Sequence, residues 1–289
     1  MRLLPTTFAC AFLTAAALPA VADEASLSSG AAPAFSTMDR GDGASRAGVS
    51  LGFNFFDDES IQTDVALRTD VYGQYVLPNH FGVYGSLPIS YISGGDESSS
   101  AIGNAEIGGL YILQTGRAPI LRFRTIALRA GLGLPTAADD FEGLLVNAFN
   151  IAPRLTDLVS ITPDTTWLRL SASPTVREGK IFVRADAGID IAVSAPEDAE
   201  IDPIVHMNVG AGYDAGKFAL MGEVVTVATT GEVDENDERF FHTGALTARY
   251  TAADIQPGVS FVTPLDDAGL GEQWALMFDV QYVLPLASR

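Results

Sequence analysis

The sequence predicts an all-β protein: a single transmembrane antiparallel up-and-down β-barrel, on three observations. Apolar and polar residues alternate with a period of two through most of the chain after residue 45. The connections between the alternating stretches themselves alternate in length and charge. Aromatic residues gather at one end of those stretches, on the apolar face. Period two marks strands whose two faces meet different environments, and the other two observations say which face points out.

The first residues read as an export signal. Arg2 gives a positive start, Phe8 to Leu18 form an apolar run broken only by Thr14, and Ala20-Val21-Ala22 is a small-x-small cleavage site. The run is too short for a spanning helix, which needs about 20 apolar residues. Residues 1–22 are therefore expected to be removed. Thr7-Phe8-Ala9-Cys10 lacks the leucine of a lipoprotein box, so Cys10, the single cysteine, leaves with the signal. The mature chain then has no disulfide and no cysteine chemistry. Residues 23–44, rich in Ala, Ser and Gly, read as a flexible periplasmic lead, and residues 45–289 as the barrel.

Without Arg2, 16 Lys and Arg stand against 36 Asp and Glu. That balance excludes nucleic acid, whose phosphates call for basic patches. Yet 47% of the chain is hydrophobic, and no stretch after residue 22 is apolar over the length of a helical span.

Twelve strands carry those apolar residues. The first sets Ala47, Val49, Leu51, Phe53 and Phe55 against Gly48, Ser50, Gly52 and Asn54. The second, from Val65 to Leu77, puts Arg68 and Asp70 on its polar face. The third runs Val83 to Tyr91, and the fourth Asn104 to Leu113 with Glu106 on the polar side. Ile126 to Leu134 carries Arg129; Leu168 to Val176 carries Arg169; Ile181 to Ile191 carries Arg184, Asp186 and Asp190. Val205 to Tyr213, Phe218 to Val227 with Glu223, Phe240 to Tyr250 and Ile255 to Leu265 follow. The last, Trp274 to Leu284, holds Asp279. Lengths of roughly 9–13 residues suit tilted membrane strands rather than the ~5–6 of soluble sheets.

Connections after even strands are short, as at Asn79-His80, Thr115 to Pro119 and Ala215 to Lys217. Those after odd strands are long or acidic, as at Asp57 to Glu59, Asp96-Glu97 with three serines, and Glu232 to Glu238. Short periplasmic turns and long outer loops are the habit of outer-membrane barrels. Tyr75, Phe81, Tyr111, Tyr213, Phe218, Tyr250 and Tyr282 fall beside the short turns or the C-terminal end, where a girdle meets the headgroups. Arg122 and Arg124 fit poorly, on the lipid face near that rim, where they would snorkel or a bulge would shift the register. Residues 137–165 form a long connection with Leu144, Leu145, Ala148 and Phe149 at helical spacing. It reads as a short helix folding into the mouth or, alternatively, as two weak strands, giving fourteen.

The stretch Ile102 to Tyr111, followed by Leu128 to Thr136, resembles a strand pair of the outer-membrane transporters grouped with the MetA-pathway of phenol degradation. Asn104 stands where that family has Asp, and Ala137 where it has Gly. The resemblance implies a porin-like barrel that takes up small, often hydrophobic compounds, and it brings no catalytic residues.

Function follows as an expectation: a channel or transporter in the outer membrane, among lipid and lipopolysaccharide, passing small solutes without a cofactor or metal. Its selectivity residues are the lumen charges Arg68, Asp70, Glu106, Arg129, Arg169, Arg184, Asp186, Asp190, Glu223 and Asp279. The alternative is a closed structural or surface barrel, its lumen locked by ion pairs and its acidic loops serving adhesion or cation binding. Asp234 to Glu238 lacks the glycine and spacing of a calcium loop. A lipid hydrolase is the weaker alternative: His80 sits in a turn, His206 falls on the lumen face beside Asn208, and His242 would face lipid near the outer rim with no serine nearby in its own strand.

Overall fold

Alternation builds the wall. The computed structural model describes residues 33–56, 63–114, 125–197, 199, 201–231, 239–266 and 273–284. Thirteen strands join in one sheet: β1 Arg46–Phe56, β2 Val65–Val76, β3 Phe81–Gly94, β4 Glu97–Ile102, β5 Glu106–Gln114, β6 Thr125–Gly133, β7 Thr166–Glu178, β8 Ile181–Ser194, β9 Ile204–Asp214, β10 Phe218–Thr229, β11 Phe240–Tyr250, β12 Ile255–Pro264 and β13 Gln273–Val283. β1 pairs with β2 on one side and β13 on the other, from Arg46↔Val283 to Phe56↔Gln273, and so closes the ring. The ring holds twelve antiparallel strands, as the alternation predicts. β4 is an extra strand that pairs with β3 alone.

β4 departs from the sequence expectation, which leaves its acidic, serine-rich residues in a loop. β3 is 14 residues long, and its first half, Phe81 to Ser86, pairs with β5. Its outer half would have unpaired backbone groups, and Ile89 to Gly94 find theirs in β4. The two weak strands considered for residues 137–165 do not form. That segment holds helix α1, Phe141–Phe149, and a 3-10 segment, Ala152–Ile161. Asp140 caps α1, its side chain accepting from the Gly143 N–H at 2.7 Å.

Asn104, in the break between β4 and β5, ties this inward segment to the wall. Its Nδ2 donates to the carbonyls of Val159 (2.9 Å) and Thr162 (2.6 Å). Its Oδ1 accepts from the backbone N–H groups of Thr136 (2.9 Å) and Ala137 (2.8 Å).

The apolar face of the wall points out and the polar face in. Val83, Leu246 and Ile255 are 64%, 70% and 59% exposed, while Arg68 and Arg249 are each 1% exposed. This inverts a water-soluble barrel, and so large an apolar surface would aggregate in water. No helix among the described residues is long and apolar enough to cross a membrane; ring strands of 9–14 residues match a bilayer instead. The expected girdle faces outward at one end. Tyr75, Phe81, Tyr213, Phe218 and Tyr282 are exposed. Tyr111 and Tyr250 are half-buried against Phe81 (ring centroids 4.6 Å) and Phe218 (5.4 Å). At the other end Phe55 stacks on Trp274 at 4.1 Å.

Candidate functional site

All ten lumen charges point inward, none more than 8% exposed. On single strands the period of two brings neighbours together: Arg68 Nη2 lies 3.0 Å from Asp70, and Arg184 Nε 2.8 Å from Asp186. Across strands Arg169 is the hub, 3.0 Å from Asp190, 2.5 Å from Glu106 and 3.4 Å from Asp157. Arg129 reaches Glu106 and Asp39, both at 3.3 Å, and lies over the Tyr84 ring at 4.1 Å. Asp279 accepts from the Tyr72 hydroxyl at 2.7 Å and pairs with Arg249.

Glu223 meets the chain's own N-terminal segment. It accepts from the backbone N–H groups of Ser36 (2.9 Å), Thr37 (2.7 Å) and Met38 (3.2 Å), and from the Thr37 hydroxyl (2.8 Å). The carbonyls of the same residues are taken from the opposite side. Arg154 in the 3-10 segment donates to Ser36 O (3.0 Å) and Met38 O (2.9 Å), and the Thr156 hydroxyl to Thr37 O (3.2 Å). Phe35 and Met38 pack with Leu155 against Phe182, Met221 and Val225. The lead expected to be flexible over 23–44 thus runs, from residue 33 on, inside the barrel; residues 23–32 lie outside the described residues. Its order comes from the wall, which satisfies backbone groups that no local pattern would satisfy.

Asp39 couples this segment to the arginines. Burial alone would raise its pKa, but Arg129, His206 and Arg169 hold it well below the ordinary carboxylate value. Asp157 in the 3-10 segment is likewise depressed by Arg154, Arg169 and Arg68 against its burial. Sequence reasoning found four lumen arginines against six carboxylates, and missed Arg46, Arg154 and Arg249. Arg46 lies 2.5 Å from Asp42, and Arg154 2.9 Å from Asp157. Arg249 was within reach of the alternation on β11, whereas Arg154 sits in a segment without period two.

Among the described residues, the space beside the inner segments is narrow. Two cavities of about 20 and 10 Å³ lie between the inner segments and the wall, each room for about one water molecule. The tight fit also accounts for the inward glycines. A Cβ on Gly131 would stand 2.1 Å from the Tyr84 hydroxyl, and one on Gly212 2.1 Å from the Phe182 ring. Large side chains lie flat against the wall at both places.

Among the described residues, none of the three histidines has a serine as hydrogen-bond partner. His80 sits in the β2–β3 turn at φ 71°. His206 is buried between Asp39 and Asp190, at 3.9 and 3.7 Å. His242 faces outward with Nδ1 2.9 Å from the Thr226 hydroxyl on the next strand, a contact invisible within one strand. Asp266 accepts the His242 backbone N–H rather than a ring proton. Arg122, Arg124 and Asp234 to Glu238 fall outside the described residues.

The chain has the fold of outer-membrane β-barrels. Among solved structures it is similar to the COG4313 outer membrane channel from Pseudomonas putida F1, with TM-score 0.58 and 14% identity, over 87% of this chain and 99% of that one. Weaker likenesses are to the KdgM porin in complex with disordered oligogalacturonate (TM-score 0.49, 10% identity, 82% and 99% covered) and to outer membrane phospholipase A from Escherichia coli (0.45, 11%, 83% and 90%). No family model matches the sequence, and no curated protein matches it.

Proposed function

We propose that the protein is a channel of a Gram-negative outer membrane, reached through removal of residues 1–22, whose lumen is narrowed by its own N-terminal and 3-10 segments. The observation that carries this reading is the inverted wall: apolar outside, and a charged, closed ring inside. Tyr75, Phe81 and their neighbours then sit in the inner headgroup layer, and the acidic loops face lipopolysaccharide. The lumen charges line the way through and set its selectivity. The resemblance to the MetA-pathway family supports the same class, although a lining of ion pairs suits small polar solutes better than apolar ones. The reading needs no cofactor and no catalytic group.

The experiment is single-channel recording of the mature protein in a planar bilayer, beside a variant lacking residues 33–44. Discrete steps that grow when the segment is removed bear out a self-plugged channel. The filled lumen favours a second reading, a closed structural barrel presenting acidic loops. A silent bilayer from both proteins, with heat-modifiable migration showing them folded, selects it.

A further inference from the structure

The plug is seated asymmetrically. Its apolar side, through Phe35, Met38 and Leu155, packs on β8 and β10. Its other side faces β2, β3, β5 and β6 across polar groups, and both cavities lie there. They share Ser86, Glu106 and Asp157 in their linings, so they form one broken seam along the inner face of β3. One end reaches Gln74, near the short turns; the other reaches Pro88 and Ser160 in the outer half. Ser86 stands at the junction, opposite Tyr72 on β2 and Glu106 on β5, and keeps partial exposure while Gly82, Pro88 and Ser90 on the same face are buried.

The acid excess of the whole chain is absent along this seam. Six arginines line it: Arg40, Arg46, Arg68, Arg129, Arg154 and Arg169. Four carboxylates line it with them, Asp39, Asp70, Glu106 and Asp157, while Asp42 and Asp190 pair with Arg46 and Arg169 at 2.5 and 3.0 Å, so arginines and carboxylates balance there. Among the described residues Arg40 has no carboxylate within ion-pair reach; it rests on the Tyr72 ring at 3.9 Å. A guanidinium held by an aromatic face keeps its donors for a third party.

We infer that the seam between the seated plug and the inner face of β3 is the ion path, and that it passes small anions, such as chloride or a short monocarboxylate, in preference to cations. This rests on the channel reading. The formal charge of −19 on the chain argues the other way, but acid in the outer loops is screened within about 3 Å at 1 M salt. Within the seam the paired charges cancel, and the unpaired Arg40, screened far less in a narrow, protein-walled space, decides the sign.

The test is the reversal potential of the full mature protein in a tenfold KCl gradient with 1 M on the concentrated side. The expected result is a chloride-side potential, with Arg40→Gln lowering the chloride-to-potassium permeability ratio by about twofold or more. In parallel, Ser86→Cys treated with a negatively charged methanethiosulfonate should lose most of its current, modification being checked by mass. A potassium-side potential overturns the inference, as does a ratio unmoved by Arg40→Gln or a current indifferent to a fully modified Ser86→Cys. Should the cysteine variant fail to show heat-modifiable folding, the Arg40→Gln ratio decides alone. A wild-type protein that folds but never conducts overturns the seam as the path, and the channel reading itself falls only if the variant lacking residues 33–44 is silent too.

Discussion

The carboxylate of Glu223 lies 2.7 Å from the backbone nitrogen of Thr37, a residue 186 positions away, and grips the segment 36–38 by its peptide groups rather than its side chains. Hydrogen bonds to a charged group contribute about 1.5–3 kcal/mol each. Glu223→Ala should therefore raise the population of displaced plug by at least about tenfold. Arg40 offers a trypsin site inside the plug, so the rate of cleavage after Arg40 in the folded protein reads this directly. An unchanged rate would show that Glu223 does not hold the segment.

Arg154 grips the same peptides from the other side while paired with Asp157. Removing it takes one of three arginines from Asp157 and leaves the Ser36 and Met38 carbonyls without their donor, a loss of about 1–3 kcal/mol for each unsatisfied group. Arg154→Ala should lower the urea midpoint of the folded barrel markedly, and Arg154→Lys should recover only part of it. Lysine lacks the planar fork that reaches two carbonyls and a carboxylate together. Full recovery by lysine would mean that charge alone matters there.

Asn104→Asp is a sharp probe of the break between β4 and β5. The amide both donates and accepts, and a carboxylate would face the Val159 and Thr162 carbonyls with no proton to offer. Two buried acceptors lose their donors at about 1–3 kcal/mol each. We expect a lower unfolding midpoint and faster proteolysis of residues 137–165. An Asp variant as stable as the native chain would rule out the four-bond arrangement.

The acid response should be late. Asp39 and Asp157 both have folded pKa values held below the ordinary 3.8. Such groups stabilise the fold from the unfolded value upward, and give that up only as pH falls through the folded value. Resistance of the plug to cleavage, sampled with an acid-active protease, should stay flat from pH 8 to about 5 and fall only below 3.8. Loss already near pH 6 would show that these two carboxylates do not set the acid limit.

Much of the wall was legible because burial there has a simple period. Arg68 and Asp70, or Asp186 and Asp190, alternate with apolar residues and so declare their face. β10 was less legible: Ala219, Met221, Val225 and Val227 make its inner face apolar around Glu223, and the plug explains why. The segment 33–44 itself carries no periodic signal. Its structure is dictated by Glu223 and Arg154, and no local propensity encodes partners more than a hundred residues distant. β4 was missed for a related reason, since Ser98 to Ser100 become a strand only because β3 overhangs β5.

Ser45 joins the plug to β1 with no linker between them; its hydroxyl accepts from the Val76 N–H at 2.8 Å, and its carbonyl accepts from Leu284. The twelve residues before it can extend to about 40 Å, more than the roughly 25 Å height of a barrel's apolar band. The segment is thus a stopper on a leash, long enough to leave the bore without leaving the molecule. Its return is a unimolecular step at an effective concentration of the order of millimolar. On the channel reading, a pore narrowed in this way takes its plug back at a rate independent of how many copies the membrane holds, with no partner needed to reset it.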